Sequence, residues 1–185
     1  MIDGRVVEAC RDGDREAFRL LYDAYKDRVY SIAFYFSRDE NSARDIVQET
    51  FLKIFNSISQ FRGDANFSTW LYRVIVNACI DEQRRRKRFV PLLERAVNRN
   101  MVQGASSEES YMQQRVADSV KSAVATLRPA LRVPILLRYV EGLSYNEIAE
   151  VLGCSSGTVA SRLNRAHKIL AHKLRHLRNA LEAGL

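Results

Sequence analysis

The stretch Leu143–Leu170, "LSYNEIAEVLGCSSGTVASRLNRAHKIL", predicts two short helices joined by a tight turn. Ser144 and Glu147 have the S-x-x-E spacing of a capping box, in which each side chain meets the other's backbone N–H. Ile148, Ala149 and Leu152 then share one face, and the small Ala149 lets a second helix cross closely over the first. Gly153 supplies the left-handed residue that ends a helix. Ser155 or Ser156 caps the next helix, whose Val159, Leu163 and Ala166 face inward. Caps, turn glycine and crossing alanine agree at fixed spacing, which predicts a helix-turn-helix, a motif whose second helix enters the DNA major groove.

Charge on that second helix points the same way. From Thr158 to Arg178 there are six Lys or Arg residues and no carboxylate. Ser156, Thr158, Ala160, Ser161, Arg162, Asn164 and Arg165 take the outward or N-terminal positions. Arginine bonds guanine in pairs, Asn bonds adenine, and Ser and Thr reach bases or phosphates. Lys168 and Lys173 suit phosphates, which position a protein without specifying sequence. A hairpin with a merely solvated basic face is the plainer alternative.

Upstream, the pattern is helical almost everywhere, and an all-α fold is expected: two small helical domains joined by a flexible linker, the second containing the helix-turn-helix. "DREAFRLLYDAYKDRVYSIAFYF" strings Phe18, Leu21, Tyr22, Tyr25, Val29, Ile32, Ala33 and Phe36 along one stripe. "NSARDIVQETFLKIFNSISQF" does so with Ile46, Val47, Phe51, Leu52, Ile54 and Phe55. The first domain is expected over residues 1–89. Residues 90–113, with Pro91, Gly104 and a Ser/Glu cluster, have linker composition, and the second domain is expected over 114–185. In that second part Pro129 fits a first helical turn and Gly142 a helix end.

The last helix of the first domain, "STWLYRVIVNACIDEQRRRKR", begins oily and ends in five consecutive cations, Arg84 to Arg88. Arg73, Asn77, Asp81, Arg84 or Arg85, and Arg88 recur at three or four residues as a polar stripe, with Asp81 placed to pair with Arg85. Trp70, Val74, Ile75, Ala78 and Cys79 pack elsewhere. Phe61, Phe67 and Tyr72 lie in and beside the loop "RGDANFS", able to line a pocket. Rings beside cations suit single-stranded nucleic acid: each stacked base contributes roughly 1–3 kcal/mol. Opening a duplex step costs about 1.4 kcal/mol, so a few captured bases offset local melting. Core packing explains the individual rings equally well.

The charge is uneven. The chain carries 29 basic and 22 acidic side chains among 185 residues, net +7. Residues 1–60 are net −2, residues 61–88 net +4, residues 89–115 neutral and residues 116–185 net +5. Two separate basic zones predict a polyanion gripped twice. Cys10, Cys79 and Cys154 form no CxxC pair and read as small hydrophobes rather than a disulfide framework or zinc cluster. His172 and His176 stand four apart without a carboxylate or thiol, so neither metal nor other cofactor is expected. No apolar run reaches the roughly 18 residues of a membrane span, and no secretory signal opens the sequence; a cytoplasmic protein is expected. No nucleophile–base pair or phosphate loop appears, so an enzyme is not expected, nor a small-molecule substrate.

"ARDIVQETFLKIF", "FSTWLYRVIVNACID" and "VEGLSYNEIAEVLGCSSGTVASRLNRA" together resemble bacterial RNA polymerase sigma factors of the extracytoplasmic-function (ECF) group, in the right order along nearly the whole chain. The resemblance implies a region 2 domain that binds core polymerase (its beta and beta-prime subunits) and melts the −10 element, then a region 4 domain that reads the −35 element. It implies that Asp45, Ile46, Gln48, Glu49 and Phe51 dock on the polymerase clamp. It assigns Phe61, Phe67, Trp70, Tyr72, Arg73, Asn77, Arg84, Arg85 and Arg88 to the −10 strand, with Asn77 at a flipped base. Ser156, Thr158, Ser161, Arg162, Asn164, Arg165 and Lys168 fall to the −35 duplex. Ala160 stands where many relatives carry Arg, which leaves the −35 sequence open. An anti-sigma factor, often membrane-bound, is the implied regulatory partner. A stand-alone helix-turn-helix regulator would leave the "DIVQETF" helix and the aromatic loop without a purpose; an RNA-binding or antitermination protein using the aromatic basic helix is the third reading.

Overall fold

A computed structural model describes residues 3–61, 63, 66–89, 108–175 and 177. The described residues form eight α-helices: α1 (Gly4–Arg11), α2 (Arg15–Ser37), α3 (Glu40–Ser57), α4 (Phe67–Phe89), α5 (Glu108–Ala125), α6 (Pro129–Tyr139), α7 (Tyr145–Leu152) and α8 (Ser156–Lys173). A 3₁₀ turn, Ile58–Gln60, follows α3. No strand occurs among the described residues, as the apolar periodicity predicts.

Acidic and hydroxyl side chains start the helices. Asp3, Asp14 and Asp39 cap α1, α2 and α3 by accepting backbone N–H bonds that a first turn leaves unpaired. Between α2 and α3 the chain turns at Arg38, whose φ of 58° is left-handed, a conformation that costs a side-chain-bearing residue energy. Asp39 holds this corner. Its carboxylate accepts from the Ser42 N–H and hydroxyl, and Arg86 of α4 pairs with it at 2.8 Å.

Helices α1 to α4 enclose a core of Leu21, Val29, Ile32, Ala33, Ile46, Ile54, Leu71, Ile75 and Cys79. The expected stripes are too generous. Leu52 and Phe55 are 53% and 54% exposed, and Tyr22 is 40% exposed. One face of a helix cannot bury every apolar residue of "DIVQETFLKIF", so Ile46, Phe51 and Ile54 go in while Leu52 and Phe55 stay out.

Helices α5 to α8 form the second module. Pro129 begins α6 in its first turn, and Gly142, at φ 72°, closes the corner after it. Helix α5 starts at Glu108, six residues ahead of the expected boundary at 114. Most of the expected linker, residues 90–107, lies outside the described residues. The two modules pack against each other, α6 on α2 and α7 on α4, and share one continuous apolar core.

The Asp39 cap is testable by pH. The Ser42 N–H, with help from the Ser42 hydroxyl and Arg86, holds its carboxyl below the usual carboxylate value. A depressed folded pKa means its contribution is full above the unfolded value near 3.9 and is lost as pH falls through the folded value. Asp39→Ala is expected to cost about 1–2 kcal/mol in urea unfolding at pH 7. The gap from the wild type should narrow as the pH is lowered below the unfolded value and through the folded one.

Candidate nucleic-acid interface

The helix-turn-helix forms as its caps require. Ser144 N–H donates to Glu147 Oε2 at 2.7 Å, and Glu147 N–H donates to Ser144 Oγ at 3.2 Å, completing the capping box. Hydrogen bonding to the Glu147 carboxyl from the Ser144 side chain, and then from the Ser144 N–H, holds it below its ordinary pKa. Gly153 ends α7 at φ 60°, ψ 41°. Ser155, not Ser156, caps α8: its Oγ accepts from Thr158 N–H at 3.2 Å. Ile148, Ala149 and Val151 are buried on α7; Val151 takes the place expected for Leu152, which is only half-buried.

On α8, Val159, Leu163 and Ala166 are buried as predicted. Their opposite face presents Ser161, Asn164, Arg165 and Lys168, all exposed. Spacings of three, four and seven residues put these four on one stripe. Ser156 is exposed at the N-terminus, while Thr158 and Arg162 are half-buried. Ser161 Oγ donates to the Thr158 carbonyl at 2.9 Å, so reading a base through its proton would require that bond to break. The stripe can reach bases by Asn164 and Arg165 and a phosphate by Lys168.

Helix α4 is differently arranged. Arg73, Asn77, Asp81, Arg84 and Arg85 are exposed, as the stripe predicts. The expected Asp81–Arg85 pair does not form. Asp81 meets Lys53 of α3 at 3.0 Å and Arg84 at 3.8 Å, while Arg85 pairs with Glu82. Packing α3 beside α4 brings Lys53 closer than a neighbour on the same helix, a contact sequence spacing does not encode. Arg86 is tied to Asp39 and Glu82. The side chain of Arg88 lies outside the described residues.

The aromatic groups divide in two. Phe61, Phe67 and Trp70 form one half-buried cluster, their ring centroids 5.5–5.6 Å apart. Tyr72 is not part of it. Its ring is buried at 4% exposure, and its hydroxyl donates to Glu141 of the second module at 2.7 Å. Burial, and then the bond to Glu141, push the phenol pKa well up. Arg73 also turns to the second module, donating through Nε to the Glu150 carbonyl at 3.0 Å.

A separate, mostly apolar groove of about 640 Å³ lies between α2 and α3, lined by Phe18, Tyr22, Tyr30, Val47, Gln48, Phe51, Leu52 and Phe55, with Lys26, Asp27 and Arg44 also in its wall. Phe18 stacks edge-on to Phe55 and Tyr22 tilts over Phe51, with centroids 5.1 and 4.5 Å apart. Of the five expected docking residues, Gln48 and Phe51 line this groove, while Asp45 and Glu49 border a charged cleft on the other side of α3. Ile46 is 1% exposed, so it holds the helix in place rather than meeting a partner. Leu52, Phe55 and Tyr22 escaped the sequence reading as surface groups. The available signal was an excess of apolar positions on α3 over what one buried stripe needs.

Among the described residues, no group of three or more His, Cys, Asp or Glu could hold a metal, and no helix is long and apolar enough to cross a membrane.

The sigma-70 region 2 family matches residues 21–89, and the sigma-70 region 4 family matches residues 117–170. The chain is 35% identical to the ECF RNA polymerase sigma-E factor of Haemophilus influenzae, over 96% of this chain and 97% of that one. It is 33% identical to the RNA polymerase sigma-H factor of Pseudomonas aeruginosa, over 95% of each. The ECF sigma factor SigW of Bacillus subtilis is 30% identical over 96% of this chain and 98% of its own. Among solved structures, CnrH in complex with the cytosolic domain of CnrY superposes with a TM-score of 0.68 at 26% identity, covering 92% of this chain and 96% of that one. The sigma factor RpoE of Bartonella quintana, bound to the anti-sigma factor NepR, gives 0.67 at 25% identity over 85% and 96%. A helix-turn-helix module, a first module with its own family match and full-length relatives of one kind leave one conclusion: the chain belongs to the ECF group of the sigma-70 family, the sigma factors that direct RNA polymerase to promoters to initiate transcription.

Proposed function

We propose that the two modules divide promoter recognition between separated and paired DNA, and that the α2–α3 groove is the seat for core RNA polymerase. One observation carries the reading. A single chain presents an exposed cationic face on a capped helix-turn-helix and, on the other module, an exposed apolar groove. The first suits a polyanion and the second a protein.

Helix α8 reads the −35 duplex. Asn164 and Arg165 face base edges, Lys168 a phosphate, and Ser156 and Thr158 sit at the helix N-terminus, where partial positive charge favours an anion. Arg162, half-buried, joins this set. Helix α4 takes the melted −10 strand. The Phe61–Phe67–Trp70 cluster offers ring faces, with Asn77 and Arg84 further along the exposed side. Leu52 and Phe55, flanked by Gln48, form the apolar centre of the polymerase contact, and Asp45 and Glu49 its polar edge.

On this reading the chain acts in the cytoplasm, without catalysis of its own. An anti-sigma factor regulates it by competing for the same groove. CnrH with CnrY and RpoE with NepR, both similar in fold, support such a partner. A stand-alone regulator would need neither the groove nor the region 2 match.

Five measurements test the assignments. Run-off transcription with purified core polymerase should start at defined sites; tight duplex binding with no core binding would favour the stand-alone regulator. Arg165→Ala should cost about 1–3 kcal/mol at the preferred −35 site and relax sequence preference there. Lys168→Ala should weaken all sequences alike and lower the salt slope by about one. Asn77→Ala should reduce heparin-resistant open complexes while sparing duplex binding. Leu52→Glu with Phe55→Glu should weaken core binding at least tenfold, ~1.4 kcal/mol or more, with little loss of stability because both residues are exposed.

A further inference from the structure

Tyr139 ends α6 and is 64% exposed, the most open of the large apolar and aromatic side chains among the described residues. It does not line the α2–α3 groove. Instead its hydroxyl lies 2.9 Å from Nε2 of His167, an exposed residue of α8, and the two rings meet edge to face, centroids 5.7 Å and planes 63° apart. Helices α6 and α8 already pack through the buried core, and a hydrogen bond between two solvated groups competes with water. The fold therefore does not depend on the pair. His167 follows Asn164 by three residues, about 60° around the helix from it and about 4.5 Å further along. A helix roughly 10–12 Å across nearly fills a major groove about 12 Å wide, so a side chain at the edge of the base-facing stripe meets the phosphate wall.

We propose that Tyr139 and His167 together form a further phosphate contact of the duplex-binding face, one whose strength is set by a proton on His167. The proposal rests on the assignment of α8 to the −35 duplex. The neutral pair has two forms. With the proton on Nδ1, the Tyr139 hydroxyl donates to Nε2 and Nδ1–H stays free. With the proton on Nε2, that N–H donates to the Tyr139 oxygen and the hydroxyl stays free. Either form is uncharged and offers a phosphate one donor. When the ring takes a second proton from solvent, Nε2–H donates to the Tyr139 oxygen. Nδ1–H and the Tyr139 O–H are then both free, and the ring is a cation. Protonation thus converts one neutral donor into two donors and a charge. Histidine ordinarily makes this change between pH 5 and 8. A phosphate beside the ring favours the cation, so binding and proton uptake reinforce each other and the contact strengthens as pH falls.

The charges on the elements packed against α8 have other partners. Arg138 of α6 lies over the Tyr145 ring and donates to the Leu143 carbonyl. Glu141 is held by Tyr72 and Arg28, Glu147 of α7 by the capping box, and Asp118 of α5 by Lys121. Glu150 of α7 and, on α8 itself, Arg165 and Lys168 are exposed. Among the described residues His167 is bonded to Tyr139 and forms no ion pair with a carboxylate. Full-length wild type, His167→Gln, Tyr139→Phe and His172→Gln are titrated against a short fluorescent duplex of random sequence at pH 7.5 and 5.5 over a range of salt, after circular dichroism shows each to be folded. Random sequence suffices because a phosphate contact reads no base. From pH 7.5 to 5.5 the wild type should gain roughly two- to fivefold in affinity through this contact, the scale of one exposed ion pair, and its salt slope should steepen by about one. His167→Gln should lose both changes and His172→Gln should keep them. Tyr139→Phe should keep the steepening, since the charge remains, but bind at least about twofold more weakly at pH 5.5, having lost one donor. Equal pH dependence in wild type and His167→Gln overturns the contact. Unchanged affinity of Tyr139→Phe at pH 5.5 overturns the part played by the hydroxyl. Lys168→Ala separates the two levels: if it leaves the salt slope unchanged, α8 does not sit on the duplex and both assignments fail; if it lowers the slope while His167→Gln changes nothing, the pair alone fails.

Discussion

The ends of helices govern this molecule. A helix leaves its first N–H groups and last carbonyls unpaired, and a small all-helical chain has many such ends. Arg132 shows how much one side chain can settle. It is buried, and its guanidinium serves the carbonyls of Ala125, Leu127 and Phe36 while lying over the Phe36 ring at 4.9 Å. These bonds join the end of α2, the end of α5 and the start of α6. A buried cation is tolerated only when such acceptors surround it, so Arg132 gives the two modules a defined mutual position.

The same principle explains why an exposed cation of one module doubles as an inter-module contact. A guanidinium that suits a phosphate also suits the negative end of a helix. Arg73 lies on the Glu150 carbonyl because both partners belong to chemical types that either module can supply.

The cations of the two modules are held differently. On α4, Arg84, Arg85 and Arg86 are each met by a carboxylate, and Lys53 adds to the network from α3. On α8 the segment from Thr158 to Lys168 contains no acidic residue. Duplex DNA offers a regular array of phosphates that an unneutralised stripe can match. A melted strand is held in part by stacking, which asks for ring faces and fewer free charges.

The sequence by itself determined the helices, their caps and the helix-turn-helix, because these depend on residues three or four apart: Ser144 with Glu147, Ser155 with Thr158, Gly153 at its turn. It also determined the buried side of α8 and the exposed side of α4. Tertiary structure alone decided which apolar residues stayed outside, since Leu52 and Phe55 differ from Ile54 only in what packs over them. It alone decided that Asp81 meets Lys53 instead of Arg85, and that Tyr72 leaves the aromatic cluster for Glu141, 69 residues away. Local spacing specifies a helix through bonds within the helix; the partner of an exposed or half-buried group depends on which distant surface the fold brings against it.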